Sequence, residues 1–263
     1  MIGSLTLLGT GTSMGVPMVG CDCEVCRSTN PRNNRTRTGV LVEALEGNFL
    51  IDTPPELRIQ LVRERVMMID AVVFTHAHAD HILGLDDLRI FGYKRKAAVP
   101  LYCEAAVEET LRSVFAYAFT PPEQRQHKHS VPQLEFSRIG LEPFSLLGMP
   151  LRPFRISHGG TPVLAFRMGN VAFCTDCKVI PEESWPYLEG LDTLILDCLW
   201  DEPQHPTHLT VHEALAVVER VKPRQTYFTH VSHKLEYEAT NARLPDGVEL
   251  AYDGLKIPIE FEV

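Results

Sequence analysis

No stretch of this 263-residue chain approaches the roughly 20 consecutive apolar positions that a helix needs to cross a bilayer. The sequence therefore predicts a chain with no membrane-spanning helix. The opening MIGSLTLLGTGTSMG lacks the basic start of a secretory leader, and glycines break its apolar run within a few residues. The expectation is a cytoplasmic protein. Positive charge is also scarce: 25 Lys and Arg face 34 Asp and Glu, a net charge of −9 at pH 7. Such a chain exerts no broad pull on nucleic-acid phosphate, which counts against generic DNA or RNA binding as its function. No internal repeat and no low-complexity linker divides the chain, so one domain is expected over residues 1–263. Seven cysteines is an odd count, which rules out a disulfide framework that uses them all. In a reducing compartment clustered cysteines read better as metal ligands.

Hydrophobic residues make up 44% of the chain, enough for a sizeable core. Leu5–Leu8 is a short apolar run entering the turn Gly9-Thr10-Gly11. Gly39–Ala44 and Asn48–Ile51 read as paired strands around Glu46-Gly47. Pro54-Pro55 opens a predicted helix reaching about Arg65, and Asp70–Phe74 reads as a buried strand. Glu104–Phe119 has helical periodicity, and the polar stretch 120–132 reads as a loop or lid. Short strands are expected between Leu134 and Cys174, then Leu191–Leu196, a helix over Val211–Val221, and strands at Gln225–Phe228 and Lys256–Val263. Two runs of strands, each closed by helices, predict an α/β protein of two packed sheets with helices outside.

The densest chemistry is Thr75-His76-Ala77-His78-Ala79-Asp80-His81, three imidazoles and a carboxylate directly after a strand. Strand ends let such groups converge without filling the core. His and Asp together suit Zn or Mn, and without a metal the cluster would carry a large desolvation cost. Cys21-Asp22-Cys23-Glu24-Val25-Cys26 puts three thiols on one loop. His233 is the best candidate for the fourth ligand of a tetrahedral structural zinc. Cys103, Cys174, Cys177 and Cys198 lie in or beside apolar stretches and read as core residues.

The H-x-H-x-D-H string resembles the signature of the metallo-β-lactamase superfamily, and further residues match in order. Asp52 ends Phe49-Leu50-Ile51, His158 follows Phe154-Arg155-Ile156-Ser157, Asp176 follows Phe173-Cys174-Thr175, and His230 follows Tyr227-Phe228-Thr229. The resemblance implies a four-layer αββα sandwich holding two divalent metals, Mn or Zn. His76, His78 and His158 would hold one metal, and Asp80, His81 and His230 the other. Asp176 would bridge them, and Asp52 would orient a ligand histidine. Together with GTGTSMGVP, C-x-C-x-x-C, TH-x-SH, Asn241–Pro245 and Tyr252-Asp253-Gly254, the chain resembles the phosphoribosyl cyclic phosphodiesterase of the carbon–phosphorus lyase pathway. That group implies a metal-dependent hydrolase opening a small cyclic phosphate, a cysteine-bound zinc, and a homodimer. Asp80, Asp176 and His208 would then be catalytic.

His208 reads either as a group at the substrate's leaving oxygen or as an ordinary residue before a helix. Thr210 with Glu213 has the spacing of a capping box. Arg35 and Arg37, in a short basic run with Arg32, are candidates for a substrate phosphate, although such runs are usually solvated. His127 and His129 read as loop surface. Two alternatives stand beside the phosphodiesterase: a ribonuclease resembling tRNase Z, and a metal-loaded carrier with little turnover.

Overall fold

The apolar runs of the first half bury both of their faces. β1 (Ile2–Gly9) sends Leu5 and Leu7 to one side and Leu8 to the other, and β2 (Gly39–Ala44) splits Val40 and Val42 from Leu41. β3 (Gly47–Ile51) and β4 (Ala71–Val73) alternate in the same way, which is why they read as continuous hydrophobic segments. The computed structural model describes residues 1–124 and 130–262. β5 (Val99–Cys103) and β6 (Leu134–Arg138) extend this sheet, with β3 to β6 mutually parallel.

The second sheet is formed by β7 (Phe144–Leu146), β8 (Met149–His158), β9 (Thr161–Met168), β10 (Val171–Cys174), β11 (Thr193–Asp197), β12 (Gln225–Thr229) and β13 (Val248–Leu250), side by side in chain order. β14 (Leu255–Glu260) then returns to the first sheet and pairs antiparallel with β1. Leu164, Phe166, Phe173 and Ile195 meet Leu5, Val40, Phe49 and Val73 between the sheets. Each such side chain contributes about 1.5–3 kcal/mol on burial.

The outer face of the first sheet is covered by α1 (Leu57–Arg63), α2 (Ala79–Ile82), α3 (Arg89–Arg95) and α4 (Ala105–Val114). That of the second is covered by α5 (Val211–Val221) and α6 (Tyr237–Asn241). The layers are αββα, as expected. No helix among the described residues is long and apolar enough to cross a membrane.

Several boundaries differ from the sequence reading. α1 starts at Leu57, two residues after Pro55, because Pro55 and Glu56 form a turn. The helix expected over Glu104–Phe119 is α4 followed by a separate 3-10 turn at Ala116–Phe119. β5 was not anticipated: Pro100 disguises it. The loop expected over 120–132 is described only up to Gln124 and from Ser130, so His127 and His129 lie outside the described residues.

Candidate metal centre

The site residues stand at the C-terminal ends of β3, β4, β8, β10, β11 and β12. Three of them leave their strands in the left-handed region: Asp52 at φ +65°, Asp176 at +54° and His230 at +60°. Asp and His tolerate this better than most residues, but each instance still costs roughly 1–3 kcal/mol. The strain turns each side chain off its sheet into a common cleft. The glycine-rich turn after β1 is equally constrained. A Cβ on Gly9 would sit 2.0 Å from the Arg37 carbonyl oxygen, and one on Gly11 would sit 2.6 Å from that of Arg35.

The structure brings the predicted set together. Ligand atoms of Asp80, His81, Asp176 and His230 lie within 4.8 Å of one another, as do those of His76, His78 and Asp176. Asp176 is common to both groups: one oxygen is 3.0 Å from His81 Nε2 and the other 3.9 Å from His158 Nε2. Apart from the exposed His78, these side chains are buried. His158 departs in part from expectation. Its ring is 5.1 Å from that of His78, yet its close group is Asp176 and His208. The Thr207 carbonyl holds His158 Nδ1 at 2.8 Å, toward the segment carrying His208.

One hydrogen-bonding rule governs the histidines. His81 Nδ1 donates to Asp52 at 2.7 Å. Thr75 Oγ1 donates to Asp52 at 2.7 Å, so it accepts from His76 Nδ1 at 2.9 Å. Thr38 Oγ1 donates to the Gly11 carbonyl and accepts from His230 Nδ1, both at 3.1 Å. With the Nδ1–H of His76 and His81 spent on protein acceptors, their Nε2 atoms face the cleft, while His230 Nδ1 lies 3.5 Å from Asp176 Oδ2 as well as beside Thr38. Among the described residues, Nε2 of His76, His81 and His230 is buried without a hydrogen-bond partner. Orphaned buried nitrogens around two carboxylates are costly unless they act as ligands, so the donor set fits divalent cations of the Zn or Mn class.

The charges agree. Burial disfavours ionisation of Asp176, yet His230 and His81 hold its carboxyl well below the usual range. Burial opposes a charged His81 too, but Asp176 and Asp52 raise it well above the ordinary imidazole value. The field that favours a proton there also favours a cation. His76 is held well below its ordinary value by burial and by His81.

His208 joins the cleft as a buried residue, its ring 4.5 Å from His158 and 4.7 Å from His230. Its Nδ1 lies 2.7 Å from Asp197 Oδ2, and Asp197 also accepts from Leu209 N at 3.0 Å. Burial pushes the Asp197 carboxyl up to about 8. Thr210 and Glu213 do form a capping box, so the helix starts after His208 and leaves it free to face the cleft. Sequence reasoning missed Asp197, although it ends Leu194-Ile195-Leu196 in the same way that Asp52 ends its strand. It also missed the supporting hydroxyls of Thr38 and Thr75.

A second donor set lies apart. Sγ of Cys21, Cys23 and Cys26 surround His233 Nδ1 at 3.2, 3.4 and 3.6 Å. A tetrahedral zinc places sulfur and nitrogen ligands about 3.6 Å apart. Cys103, Cys174, Cys177 and Cys198 are buried core residues, as read.

Arg35 is a correction. Arg35 is 1% exposed and none of its guanidinium nitrogens has a partner among the described residues, so it presents no fork to an incoming phosphate. Arg37 spends Nη1 on Glu56 at 2.7 Å and Nε on the Ser13 carbonyl at 2.9 Å.

The model of the beta-lactamase superfamily domain matches residues 47–231. Among solved structures, a diphosphatase of the PhnP family is 44% identical with a TM-score of 0.92, covering 100% of this chain and 99% of that one. Zinc-bound PqqB from Methylobacterium extorquens superposes with a TM-score of 0.78 at 18% identity over 97% of this chain and 99% of that one, a likeness of fold. An octanoyltransferase from Porphyromonas gingivalis is 35% identical over 97% of this chain. The chain spans about half of that relative's length, 51%.

Proposed function

The chain belongs to the metallo-β-lactamase superfamily of hydrolases; from that premise we propose that it is a two-metal phosphodiesterase opening a small phosphate ester, a cyclic one of the phosphoribosyl type. The observation that carries this reading is the set of buried imidazoles of His76, His81 and His230 gathered around Asp176, each with an Nε2 that has no hydrogen-bond partner among the described residues. His76, His78 and His158 would hold one cation, Asp80, His81 and His230 the other, with Asp176 shared. A bound pair would supply an activated water and neutralise charge on the phosphate. The chain's own residues do the rest. Asp52, Thr75 and Thr38 fix the imidazole orientations. His208, steadied through Nδ1 by Asp197, would serve the leaving oxygen through Nε2. Cys21, Cys23, Cys26 and His233 would hold a separate structural zinc.

The likeness to a diphosphatase at 44% identity supports cleavage at phosphorus over lactams. The net charge of −9 supports a small substrate over RNA, and so weighs against the ribonuclease alternative. A carrier has no need of a shared carboxylate between two ligand groups. The octanoyltransferase name belongs to a protein about twice as long, and acyl transfer through a thiol finds no support here, because Cys174, Cys177 and Cys198 are 0% exposed.

The test is turnover by the Mn- and Zn-loaded protein of bis(p-nitrophenyl) phosphate, cyclic nucleotides, ribose cyclic phosphate, precursor tRNA and a lactam. Diester cleavage that is lost in Asp176→Ala is expected. Lactam or thioester cleavage without diester cleavage would sink the reading.

A further inference from the structure

Asp253 lies in the turn between β13 and β14, outside the metal centre. Its side chain is 8% exposed, and it accepts more hydrogen bonds than a turn requires. Oδ1 takes Thr10 N at 2.9 Å and Thr10 Oγ1 at 2.8 Å. Oδ2 takes Thr36 N at 2.9 Å, Thr36 Oγ1 at 2.6 Å and Arg63 Nη1 at 3.2 Å. The buried Arg35 guanidinium has Asp253 as its foremost opposing charge. One carboxylate thus joins the loop after β1 to the segment leading into β2. The turn itself is anchored by Ala251 N to the Phe228 carbonyl at 2.8 Å and by Gly254 N to the Leu7 carbonyl at 2.7 Å.

Those two clamped segments are the ones that hold His230. Val231 N donates to the Thr10 carbonyl at 2.9 Å, and Thr12 N donates to the Val231 carbonyl at 3.3 Å. Gly11 N donates to the Thr36 carbonyl at 2.8 Å. Thr38, two residues beyond Thr36, bridges the Gly11 carbonyl and His230 Nδ1. His230 itself sits in the left-handed region at φ +60°, a conformation that surrounding structure must impose.

We propose that Asp253 is a positioning residue for the His230 half of the metal centre, acting through Thr10 and Thr36 on the segments that fix the backbone and Nδ1 of His230. The proposal rests on the reading of His230 as a metal ligand. An Asn in its place keeps one acceptor oxygen but turns an amide donor toward one of the two backbone N–H groups. That would release one segment while preserving the size of the side chain.

Cobalt(II) titration of the metal-depleted full chain is the probe. Thiolate-to-cobalt charge transfer reports the cysteine loop, and weaker visible bands report the histidine and carboxylate cleft. Asp253→Asn is expected to weaken cobalt binding in the cleft about 10- to 100-fold, the range for losing an outer-shell support, and to leave the thiolate band unchanged. Thr38→Val should weaken it as well, and the double variant should lose less than the product of the two single losses. Leu111→Ala, in the outer core beneath α4, should lower the melting temperature without changing cleft affinity. Should Asp253→Asn fail to fold, Thr10→Val, which removes one donor to the carboxylate, takes its place. Wild-type affinity in Asp253→Asn, multiplicative losses with Thr38→Val, or an equal loss in Leu111→Ala would each overturn the proposal and leave His230 a ligand. Absence of cleft bands in the wild type would overturn the ligand reading and this proposal with it.

Discussion

His208 and Asp197 form a buried pair, Nδ1 to Oδ2 at 2.7 Å, that reaches the cleft beside His158 and His230. His208 comes from the segment before α5 and Asp197 from the end of β11, so two elements of the second sheet fix the direction of one imidazole. Burial holds His208 below its ordinary value and pushes its partner Asp197 up to about 8.

That pairing predicts a leaving-group effect. His208→Ala should slow cleavage of a diester with a poor leaving group by roughly 10²–10⁴ and change a p-nitrophenyl ester much less. Asp197→Asn should move in the same direction by a smaller factor, because the ring survives but its tautomer is no longer fixed. Metal content per chain should stay at the wild-type level in both. The check is kcat for matched phenyl and p-nitrophenyl diesters beside elemental analysis. Equal losses on the two esters, or loss of a metal in His208→Ala, would return His208 to substrate binding or to the ligand set.

The candidate ligands were legible in part because each follows an apolar strand, and strand ends can be read without knowing how strands pair. The cluster of His76, Asp80 and His81 stands out by its own spacing, whereas Asp176 and His230 were implied by the family resemblance. What stayed hidden is non-local. Thr38 supports His230 from 192 positions away, and no spacing rule connects them. Asp197 had a readable local signal, but one more acid at the end of a strand carries no role until His208 is folded onto it. Arg35 failed for the opposite reason. A short basic run suggested a fork for phosphate, whereas Arg35 is buried and its backbone pairs with Val16. β14 shows the limit for the fold: its alternation is plain, but only the pairing with β1 shows that it crosses back to the first sheet.

A pH-dependent contribution is expected from Glu213. Its carboxylate accepts from Thr210 N at 2.9 Å and from Lys178 Nζ at 2.8 and 2.9 Å, which ties the start of α5 to the segment two residues beyond Asp176. Burial works against its ionisation, yet Lys178, the Thr210 N–H and Gln204 hold the group down at about 2, against an ordinary 4.5. A depressed carboxyl stabilises fully above its unfolded value and loses that stabilisation as pH falls through its folded one. Glu213→Gln should therefore destabilise the protein by about 1 kcal/mol at pH 7. For a chain of this size that is about 2–4 °C in melting temperature. The gap should narrow between about pH 4.5 and pH 2. Thermal melts of both proteins across that window decide it. A gap that stays constant down to pH 2 would assign the loss to packing rather than to charge.

The cysteine loop should behave as a clamp on the fold rather than as part of the chemistry. Cys21, Cys23 and Cys26 leave no open position around His233, since three sulfurs and one imidazole complete a tetrahedron. Backbone N–H groups already point at two of the sulfurs, Cys26 N at Cys23 Sγ and Met18 N at Cys26 Sγ. The Cys26 N–H, helped by His233 and opposed by burial, brings the Cys23 thiol down to about 6, so it is available as thiolate at neutral pH. Burial pushes Cys26 up to about 11, the thiol that most needs a metal to ionise. A zinc there would tie the loop over 21–26 to the segment three residues past His230, and losing it costs several kcal/mol because binding energy is then folding energy. Cys23→Ser should lose one zinc per chain and melt at a markedly lower temperature, while turnover per folded molecule stays near that of wild type. Metal content, melting temperature and active-site titration on one preparation separate these quantities. If Cys23→Ser keeps its zinc and its melting temperature but loses turnover, the thiols act on substrate and the division between the two metal-binding sets does not hold.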